Sequence, residues 1–359
     1  MIYKDYAIFT PGPVKMSDEI LKIGGMQTPY FRNQPFSDVL LECEELLLEF
    51  LDAPSGSRVV FLTASGTAGL ESVVMNLLDN KNNALVVNGG GFGQRFVDIC
   101  KSYEVPHKEI KVKDSNLNDI DKIDAKGFDT FIVNAHETSV GHLYDLDAIG
   151  EFCKKNNLLN IVDAISMFTT DSLDMQKYNI DVVIISSQKG LALPPGLTMV
   201  VLSSKAIEQI KDIKSYYFNF KNYLKDGERG QTPYTPAVSI ILQLQARLKQ
   251  IKKDGGIQST INRAKEVAEY FRESIKDLPL KAYTKFMPNA MTTLTPTDSK
   301  SASQIVKDLE EQYKVVVCPN GGELKDKIFR VAHMGDMSKK YINTLIDVLK
   351  TYYKWEIKL

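Results

Sequence analysis

The sequence has little of what marks a metal protein, a disulfide scaffold or a nucleic-acid binder. Its four cysteines are isolated, and none of its four histidines has a partner at metal-ligand spacing. Lysine and arginine (44) almost balance aspartate and glutamate (45), and no dense basic block occurs. These features argue against a disulfide framework, a cysteine- or histidine-built metal site, and binding to nucleic acid or to an anionic membrane.

Long apolar runs are also missing. No run approaches the roughly 20 residues that a membrane-spanning helix needs, and the first residues lack the pattern of a signal peptide. Hydrophobic residues make up 43% and charged residues 25%, as in ordinary soluble proteins, and 359 residues suffice for a large domain plus a smaller one. We therefore expect a cytoplasmic protein without a membrane segment.

What the chain does contain is an alternation of short apolar runs with stretches of helical character. The runs predict buried strands at 59–62, 84–87, 128–134, 158–162, 182–185 and 197–202. This alternation predicts an α/β fold with a mainly parallel sheet and helices on both faces. The expected division is an N-terminal segment (1–20), a large domain (21–240) and a small α/β C-terminal domain (241–359), connected by a long helix at about 237–253.

Polar residues follow two of the predicted strands. Asp163 comes directly after the run at 158–162, and Lys189 follows the run at 182–185. The carboxyl ends of strands in such sheets are where ligands bind. On spacing alone Lys189 is either a nucleophile or a surface group. Asp163 is either a buried charge with a partner or a helix cap.

Two loops have the composition of ligand-binding turns. Thr63-Ala64-Ser65-Gly66-Thr67 stands between a strand and a helix, so it predicts an anion site or an ordinary N-cap, and no Walker lysine follows it. The glycine run around Phe92 does not have the dinucleotide spacing, and the next helix is predicted at 96–103. The Phe92 ring is expected either against a flat ligand or in the core.

Pyridoxal phosphate is held by four kinds of group, and the sequence offers all of them: a strand-end lysine, a strand-end aspartate, an anion-binding loop and an aromatic ring. At this point the sequence resembles the class V pyridoxal-phosphate aminotransferases, especially the group with the alanine–glyoxylate (serine–pyruvate) and 2-aminoethylphosphonate–pyruvate enzymes. The motifs that carry the resemblance follow the family's order over nearly the whole chain: Thr-Pro-Gly-Pro (10–13), Ala-Ser-Gly-Thr (64–67), Gly-Phe-Gly-Gln-Arg (91–95), His-Glu-Thr-Ser-Val-Gly (136–141), Val-Asp-Ala-Ile-Ser (162–166), Ser-Gln-Lys-Gly-Leu (187–191), Pro-Pro-Gly (194–196) and Phe-Arg-Val-Ala-His-Met-Gly (329–335).

The resemblance implies a fold type I transferase with a mainly parallel seven-stranded sheet, pyridoxal 5′-phosphate as cofactor and a homodimer with shared active sites. It implies a ping-pong transamination. The donor would be of the alanine, serine or 2-aminoethylphosphonate type, and the acceptor a small 2-oxo acid of the pyruvate or glyoxylate type.

The resemblance also assigns roles to residues. Lys189 would form the Schiff base and move the substrate proton, and Asp163 would pair with the pyridine nitrogen. Phe92 would stack on the ring, where many family members have tryptophan. The other residues assigned to cofactor or substrate are Ser65, Gly66, Thr67 and Gln188 for the phosphate, Thr138 and Ile165 for the ring, Thr232 and Thr235 for the partner's phosphate, and Arg330 with the Gly12 backbone for the substrate carboxylate.

Three alternatives remain from the sequence. A class V lyase or cysteine desulfurase would usually have histidine where Gln188 stands and would need a loop cysteine such as Cys318, which we interpret as structural. A nicotinamide dehydrogenase would need the dinucleotide fingerprint. The third alternative is a non-catalytic regulatory protein of the same fold. Loss of Lys189 or Asp163 would favour it, but both residues are present. Substrate identity stays open, and Arg32 either meets a second anionic group or lies on the surface.

Overall fold

The computed structural model describes residues 5–112, 117 and 119–355. Residues 1–4 and 356–359, at the ends of the predicted N-terminal and C-terminal segments, lie outside this range. The α-helices are α1 (Asp18–Gly24), α2 (Gln34–Phe50), α3 (Gly66–Leu77), α4 (Gly91–Ser102), α5 (Leu146–Lys155), α6 (Ser204–Glu208), α7 (Phe220–Gly227), α8 (Val238–Lys253), α9 (Gly256–Ser274), α10 (Ala302–Tyr313) and α11 (Lys339–Trp355).

The strands fall into one large sheet, one small sheet and two short pairs. In chain order they are β1 (Ala7–Ile8), β2 (Arg58–Leu62), β3 (Ala84–Asn88), β4 (His107–Lys111), β5 (Thr130–Asn134), β6 (His136–Glu137), β7 (His142–Leu143), β8 (Leu159–Asp163), β9 (Val182–Ser186), β10 (Thr198–Leu202), β11 (Leu280–Ala282), β12 (Met291–Pro296), β13 (Val315–Val316), β14 (Cys318–Pro319) and β15 (Phe329–Ala332).

The large sheet has seven strands in the order β2-β10-β9-β8-β5-β3-β4. All neighbouring pairs are parallel except those made by β10, which is antiparallel to both β9 and β2. Alternate residues of β9 enter two different apolar clusters: Val183 and Ile185 lie in one, Val182 and Ile184 in the other. Both faces are therefore covered, which confirms the predicted α/β fold with a mainly parallel seven-stranded sheet.

Two local predictions were wrong. The edge strand β4 was missed because its sequence, His-Lys-Glu-Ile-Lys, is polar and half-buried, as edge strands often are. The helix predicted from residue 96 begins at Gly91, so Phe92 lies in its first turn rather than in a loop. The N-cap of this helix, Gly90, has no side chain to cap it, and the residue that does so lies elsewhere in the chain.

The small sheet, in the order β11-β12-β15-β14, packs with helices α9, α10 and α11 around a third apolar cluster. Between α10 and β15 the chain forms two short strands, β13 and β14. The N-terminal strand β1 pairs in parallel with β13, and Phe9 is fully buried in this third cluster. The residues after Phe9 then lead to the carboxyl edge of the large sheet. In the part of the chain that the structure describes, no helix is both long and apolar enough to cross a membrane.

Candidate active site

A cavity of about 240 Å³ lies at the carboxyl edge of the large sheet, where β8 and β9 end and α3 and α4 begin. It gathers most of the site residues that the sequence predicted. Those lining it are Gly12, Ser65, Gly66, Thr67, Phe92, Thr138, Asp163, Ile165, Gln188 and Lys189. The strand-end rule therefore placed Asp163 and Lys189 at one cavity.

Lys189 is buried in this cavity, with 9% of its surface exposed. Its Nζ donates a hydrogen bond to the carbonyl oxygen of Pro11 at 2.6 Å. A Cβ atom on Gly12, whose φ is +141°, would lie 2.8 to 2.9 Å from the end of the lysine side chain, so the approach requires glycine. Burial, and next the charge of Arg330, lower the pKa of Lys189 to about 8. Roughly a tenth of the amine is therefore neutral at pH 7, far more than for an ordinary lysine.

Asp163 ends β8 and faces the same cavity. Its Oδ1 accepts a hydrogen bond from the backbone N–H of Ile165 at 2.9 Å. Burial raises the pKa of Asp163 to about 7, and the Ile165 N–H opposes this shift only in part. A buried carboxylate with one backbone donor calls for a cationic partner. The protonated ring nitrogen of pyridoxal phosphate is a group of this kind.

The start of α3 lies beside them. Ser65 is the N-cap, and its Oγ accepts from the Ala68 N–H at 3.4 Å, so the cap predicted from sequence is present. The N–H groups of the first turn have no acceptor within the helix. Arg95 Nη1 donates to Thr67 Oγ1 at 2.9 Å and adds a positive charge to the same place. A helix N-terminus with a guanidinium fits a phosphate group.

Arg95 was missed as a site residue, although it belongs to a motif that the sequence analysis singled out. It lies one helical turn after Phe92 and its guanidinium stands 4.8 Å from the centre of the Phe92 ring. The signal available in the sequence was this i, i+3 spacing, which places both side chains on one face of α4.

His136 and Ser166 also line the cavity and were not predicted. Thr138 Oγ1 donates to Ser166 Oγ at 2.8 Å, and His136 Nδ1 lies 3.2 Å from the Ser166 carbonyl oxygen. His136 Nε2 is buried without a hydrogen-bond partner among the described residues. Burial lowers the pKa of His136 to about 3, so the ring is neutral. An unpaired ring nitrogen beside the cavity is consistent with a polar ligand there.

Glu137 is the remote cap of α4. Its carboxylate is fully buried and accepts from the backbone N–H groups of Phe92 at 3.2 Å, Gly93 at 2.9 Å and Ser139 at 3.1 Å. A carboxylate at a helix N-terminus satisfies unpaired donors and complements the helix dipole. Glu137 therefore fixes the turn that presents Phe92 to the cavity.

Arg330 lies on β15 of the small sheet; it does not line the cavity itself, but it contacts Thr138, which does. Nη1 donates to the Thr138 carbonyl oxygen at 3.1 Å and Nη2 to that of Pro319 at 2.7 Å. Its Nε is buried without a partner among the described residues. Two backbone contacts leave N–H groups of the guanidinium free for an anion.

The remaining predicted residues lie outside the cavity. Thr232 is buried and its hydroxyl donates to the Tyr234 carbonyl oxygen at 2.7 Å, whereas Thr235 is exposed. Arg32 donates to the carbonyl oxygens of Thr232 at 2.6 Å and Pro233 at 3.2 Å. In this chain Arg32 therefore braces the segment that carries both threonines.

The comparisons with known proteins agree with this geometry. Residues 27–325 match the model of the aminotransferase class-V family. The chain is 29% identical over 336 residues to an uncharacterized aminotransferase from Helicobacter pylori, covering 91% of this chain and 88% of that protein. It is 26% identical over 347 residues to the L-aspartate–glyoxylate aminotransferase of Paracoccus denitrificans, covering 92% and 87%.

At the level of the fold, the chain superimposes on the alanine–glyoxylate aminotransferase of Nostoc sp. with a TM-score of 0.89 at 22% identity, covering 96% of this chain and 94% of that one. In this chain the cavity with Lys189, Asp163 and the N-terminus of α3 lies at the carboxyl edge of the large sheet of this fold. Since the family model spans most of the sequence, this chain belongs to the class V aminotransferases.

Proposed function

We propose that this pyridoxal-phosphate-dependent transaminase works at the cavity around Lys189 and moves an amino group from a small amino donor to a small 2-oxo acid. The cofactor and the reaction class follow from its family. The observation that carries the site assignment is the meeting of Lys189, Asp163 and the α3 N-terminus in one cavity.

The residues of the cavity divide by chemistry into three groups. The α3 turn with Ser65, Gly66 and Thr67, together with Gln188 and Arg95, would hold the phosphate. Phe92, Ile165 and Thr138 would hold the ring. Bound pyridoxal phosphate supplies an electron sink for negative charge at the donor Cα. Asp163 would keep the ring nitrogen protonated through a charge-assisted hydrogen bond.

Lys189 would act as the base that takes the proton from the donor Cα and returns it at the cofactor C4′ carbon. This work needs a neutral amine, and the burial that lowers the pKa of Lys189 to about 8 supports it. The Pro11 carbonyl oxygen would orient the amine between these two atoms.

Arg330 would bind the carboxylate of the substrate with its free N–H groups, opposite the Gly12 backbone. For the acceptor we propose glyoxylate or pyruvate. The named relatives in Paracoccus and Nostoc are glyoxylate enzymes. The donor would be of the alanine, serine or 2-aminoethylphosphonate type. The mechanism would be ping-pong: the donor reacts first, its oxo product leaves, and only then does the acceptor enter.

We also propose that the enzyme is a cytoplasmic homodimer with shared active sites, and that its small sheet belongs to a separate domain (241–359) from the large one (21–240). Thr235 is exposed and lies away from the cavity of its own chain, so its side chain is available to a second copy. The Thr232 hydroxyl is buried and donates to the Tyr234 carbonyl oxygen, so it would have to leave this bond to reach a partner. Light scattering coupled to gel filtration tests the dimer; a mass of one chain would contradict it.

The site is tested with purified enzyme reconstituted with pyridoxal phosphate and offered alanine, serine, aspartate and 2-aminoethylphosphonate one at a time. We expect one donor to change the visible absorbance of the bound cofactor and to release the matching oxo compound in a single half-reaction. A 2-oxo acid should then restore the spectrum. Lys189→Met should keep the fold and lose both changes. A transaminating enzyme that keeps its turnover after Lys189→Met would contradict the assignment of Lys189.

The cysteine desulfurase alternative finds no support at Cys318. A desulfurase needs a thiolate nucleophile, whereas burial raises the pKa of the Cys318 thiol. Cys318 also lies in β14 of the small sheet and not in a loop. Release of sulfide from cysteine, assayed beside the amino donors, distinguishes the two reactions.

A further inference from the structure

A second cavity, of about 70 Å³, lies on the other side of the Lys189 segment and shares no lining residue with the first. Its walls come from the start of α1, from α8 and α9, and from the turn after β15, with Gly190 as the wall next to Lys189. A single water needs roughly 10–15 Å³ on the same measure. The space therefore suits a group several times larger than water.

His333 lines this cavity and has one unsatisfied ring nitrogen. The residue is 1% exposed, and its Nε2 lies 2.8 Å from Thr292 Oγ1. The Thr292 hydroxyl oxygen accepts from Arg272 Nε at 2.9 Å, and among the described residues His333 Nε2 is the one acceptor within reach of the hydroxyl hydrogen. The hydrogen-bond network thus assigns the ring proton to Nδ1. This Nδ1–H is buried and has no acceptor among the described residues.

Arg247 has the second unsatisfied donor among the residues that line this cavity. Its Nε–H is also buried without an acceptor, and Nη1 donates at 3.0 Å to the amide oxygen of Gln250, which is uncharged. Among the described residues Arg247 forms no ion pair. Burial lowers the pKa of Arg247, as expected for a cation that lacks a close counter-ion.

The other charged groups around the cavity do not balance Arg247. The Asp336 carboxylate lines it but pairs with Lys15. Arg263 lines it too, and the nearest Arg263 nitrogen is 3.6 Å from a carboxylate oxygen of Asp254. The set of two aspartates and three cations keeps one unbalanced positive charge, and it lies on Arg247.

We propose that this cavity binds a small oxyanion, of the size of inorganic phosphate or sulfate, between Arg247 and His333. Such an ion accepts hydrogen bonds from both unsatisfied donors and balances the positive charge of Arg247. Water can accept the hydrogen bonds but cannot balance the charge. Bound there, it would also support the Lys189 segment. Gly190 is packed so tightly that an added Cβ would lie 2.3 Å from the Phe168 carbonyl oxygen.

The test uses the cofactor-loaded enzyme, because the phosphate of the cofactor then occupies the first anion site. Inorganic phosphate is titrated at constant ionic strength against chloride, and the midpoint of thermal unfolding is followed. We expect a saturable rise, since a ligand of the folded state stabilises it. Arg247→Gln should weaken the apparent affinity for phosphate at least tenfold.

Arg229→Gln is the matched control. It removes the same charge from an exposed arginine that pairs with Asp226 and lies outside the cavity. The control should keep the affinity of the unchanged enzyme. If both variants lower the apparent affinity for phosphate equally, the effect comes from the net charge of the protein and not from this cavity, and the proposal is overturned. Stabilisation only of the cofactor-free enzyme would assign the phosphate to the first site and also overturn it.

If Arg247→Gln does not fold, the exposed Arg263→Gln gives the second variant, with a several-fold weakening expected. Crystals of the loaded enzyme soaked in selenate provide an independent measurement. An anomalous peak between Arg247 and His333 is expected. Water density there, with no saturable shift in the titration, would overturn the proposal.

Discussion

The side-chain amine of Lys189 donates its hydrogen bond to the carbonyl oxygen of Pro11, a residue 178 positions earlier in the chain, at 2.6 Å. The acceptor therefore comes from the N-terminal segment and not from the sheet that carries the lysine. Gly12 packs against the same side chain. The position of the amine depends on these two residues as well as on β9.

The first prediction concerns this contact. Gly12→Ala should displace the lysine amine, because the added Cβ would lie 2.8 Å from Lys189 Cδ. A displacement on the order of 1 Å at a reacting group costs about a hundredfold in rate. We expect a fall of that order in the single half-reaction, measured by the absorbance change on mixing with donor.

Gly127→Ala is its control. Gly127 also has a positive φ, +80°, but a Cβ there would meet nothing within 4 Å. This variant should lose roughly 1 kcal/mol of stability through backbone strain and keep its half-reaction rate. Equal loss of rate in both variants would show that strain, and not the contact with Lys189, is responsible.

The second prediction is a pH dependence of the cofactor-free enzyme. Folded Asp163 keeps its proton to about pH 7, because burial raises its pKa, whereas the unfolded chain loses it near 3.9. Folding then binds a proton between these values, so this residue makes the free energy of unfolding fall as pH rises from about 4 to 7. Asp163→Asn removes the effect.

We expect the two proteins to have similar stability at pH 4 and Asp163→Asn to be more stable by a few kcal/mol at pH 8, since each tenfold change in the proton affinity of a group corresponds to about 1.4 kcal/mol. Denaturant unfolding at each pH measures this. Adding pyridoxal phosphate should stabilise the unchanged enzyme more than the variant. A constant difference across the pH range would show that Asp163 is not penalised by burial.

The third prediction tests Glu137 as a positioning residue. Glu137→Gln replaces one carboxylate oxygen by an NH2 group and removes the negative charge at the start of α4, so either the Gly93 N–H or the Ser139 N–H loses its acceptor. The cost should be about 1–3 kcal/mol. Because the Phe92 turn moves, the affinity for pyridoxal phosphate should also fall several-fold, measured by fluorescence titration of the cofactor-free protein.

The matched control is Asp145→Asn. Asp145 caps α5 in the same way, accepting from the N–H groups of Asp147 and Ala148, but this helix does not reach the cavity. The variant should lose stability alone. If it lowers cofactor affinity as much as Glu137→Gln does, the effect of Glu137 is only a general loss of stability.

The fourth prediction concerns Arg330. Arg330→Lys loses the planar fork that can hold a carboxylate with two parallel hydrogen bonds. We expect KM for the amino donor to rise tenfold or more, with a smaller fall in kcat. Arg272→Lys is the control, since Arg272 donates to Thr292 Oγ1 and to the Met291 carbonyl oxygen within the small sheet. It should lower stability and leave KM unchanged.

The fold and the central pair of the site could be predicted because they depend on local patterns. An apolar run of strand length followed by a polar residue places that residue at the edge of the sheet, and this was enough for Asp163 and for Lys189. The edge strand β4 has no such apolar run, because one side of it is not covered by another strand.

Glu137 could not be recognised in the same way. Its contacts with α4 join residues 44 and 45 positions apart, and nothing in the local sequence indicates which helix a buried carboxylate will cap. The start of α4 was misplaced for the same reason, since a glycine run without a local capping residue is typical of a loop. Long-range hydrogen bonds decided both cases.

The N-terminal segment has a practical consequence. β1 pairs with β13, and Phe9 is buried in the apolar cluster of the small sheet. Two residues later, the carbonyl oxygen of Pro11 accepts the hydrogen bond from Lys189. A proteolytic cut between residues 9 and 11 would leave every pair of strands intact. A preparation with a normal circular dichroism spectrum and no turnover should therefore be checked first by mass spectrometry for cleavage within these few residues.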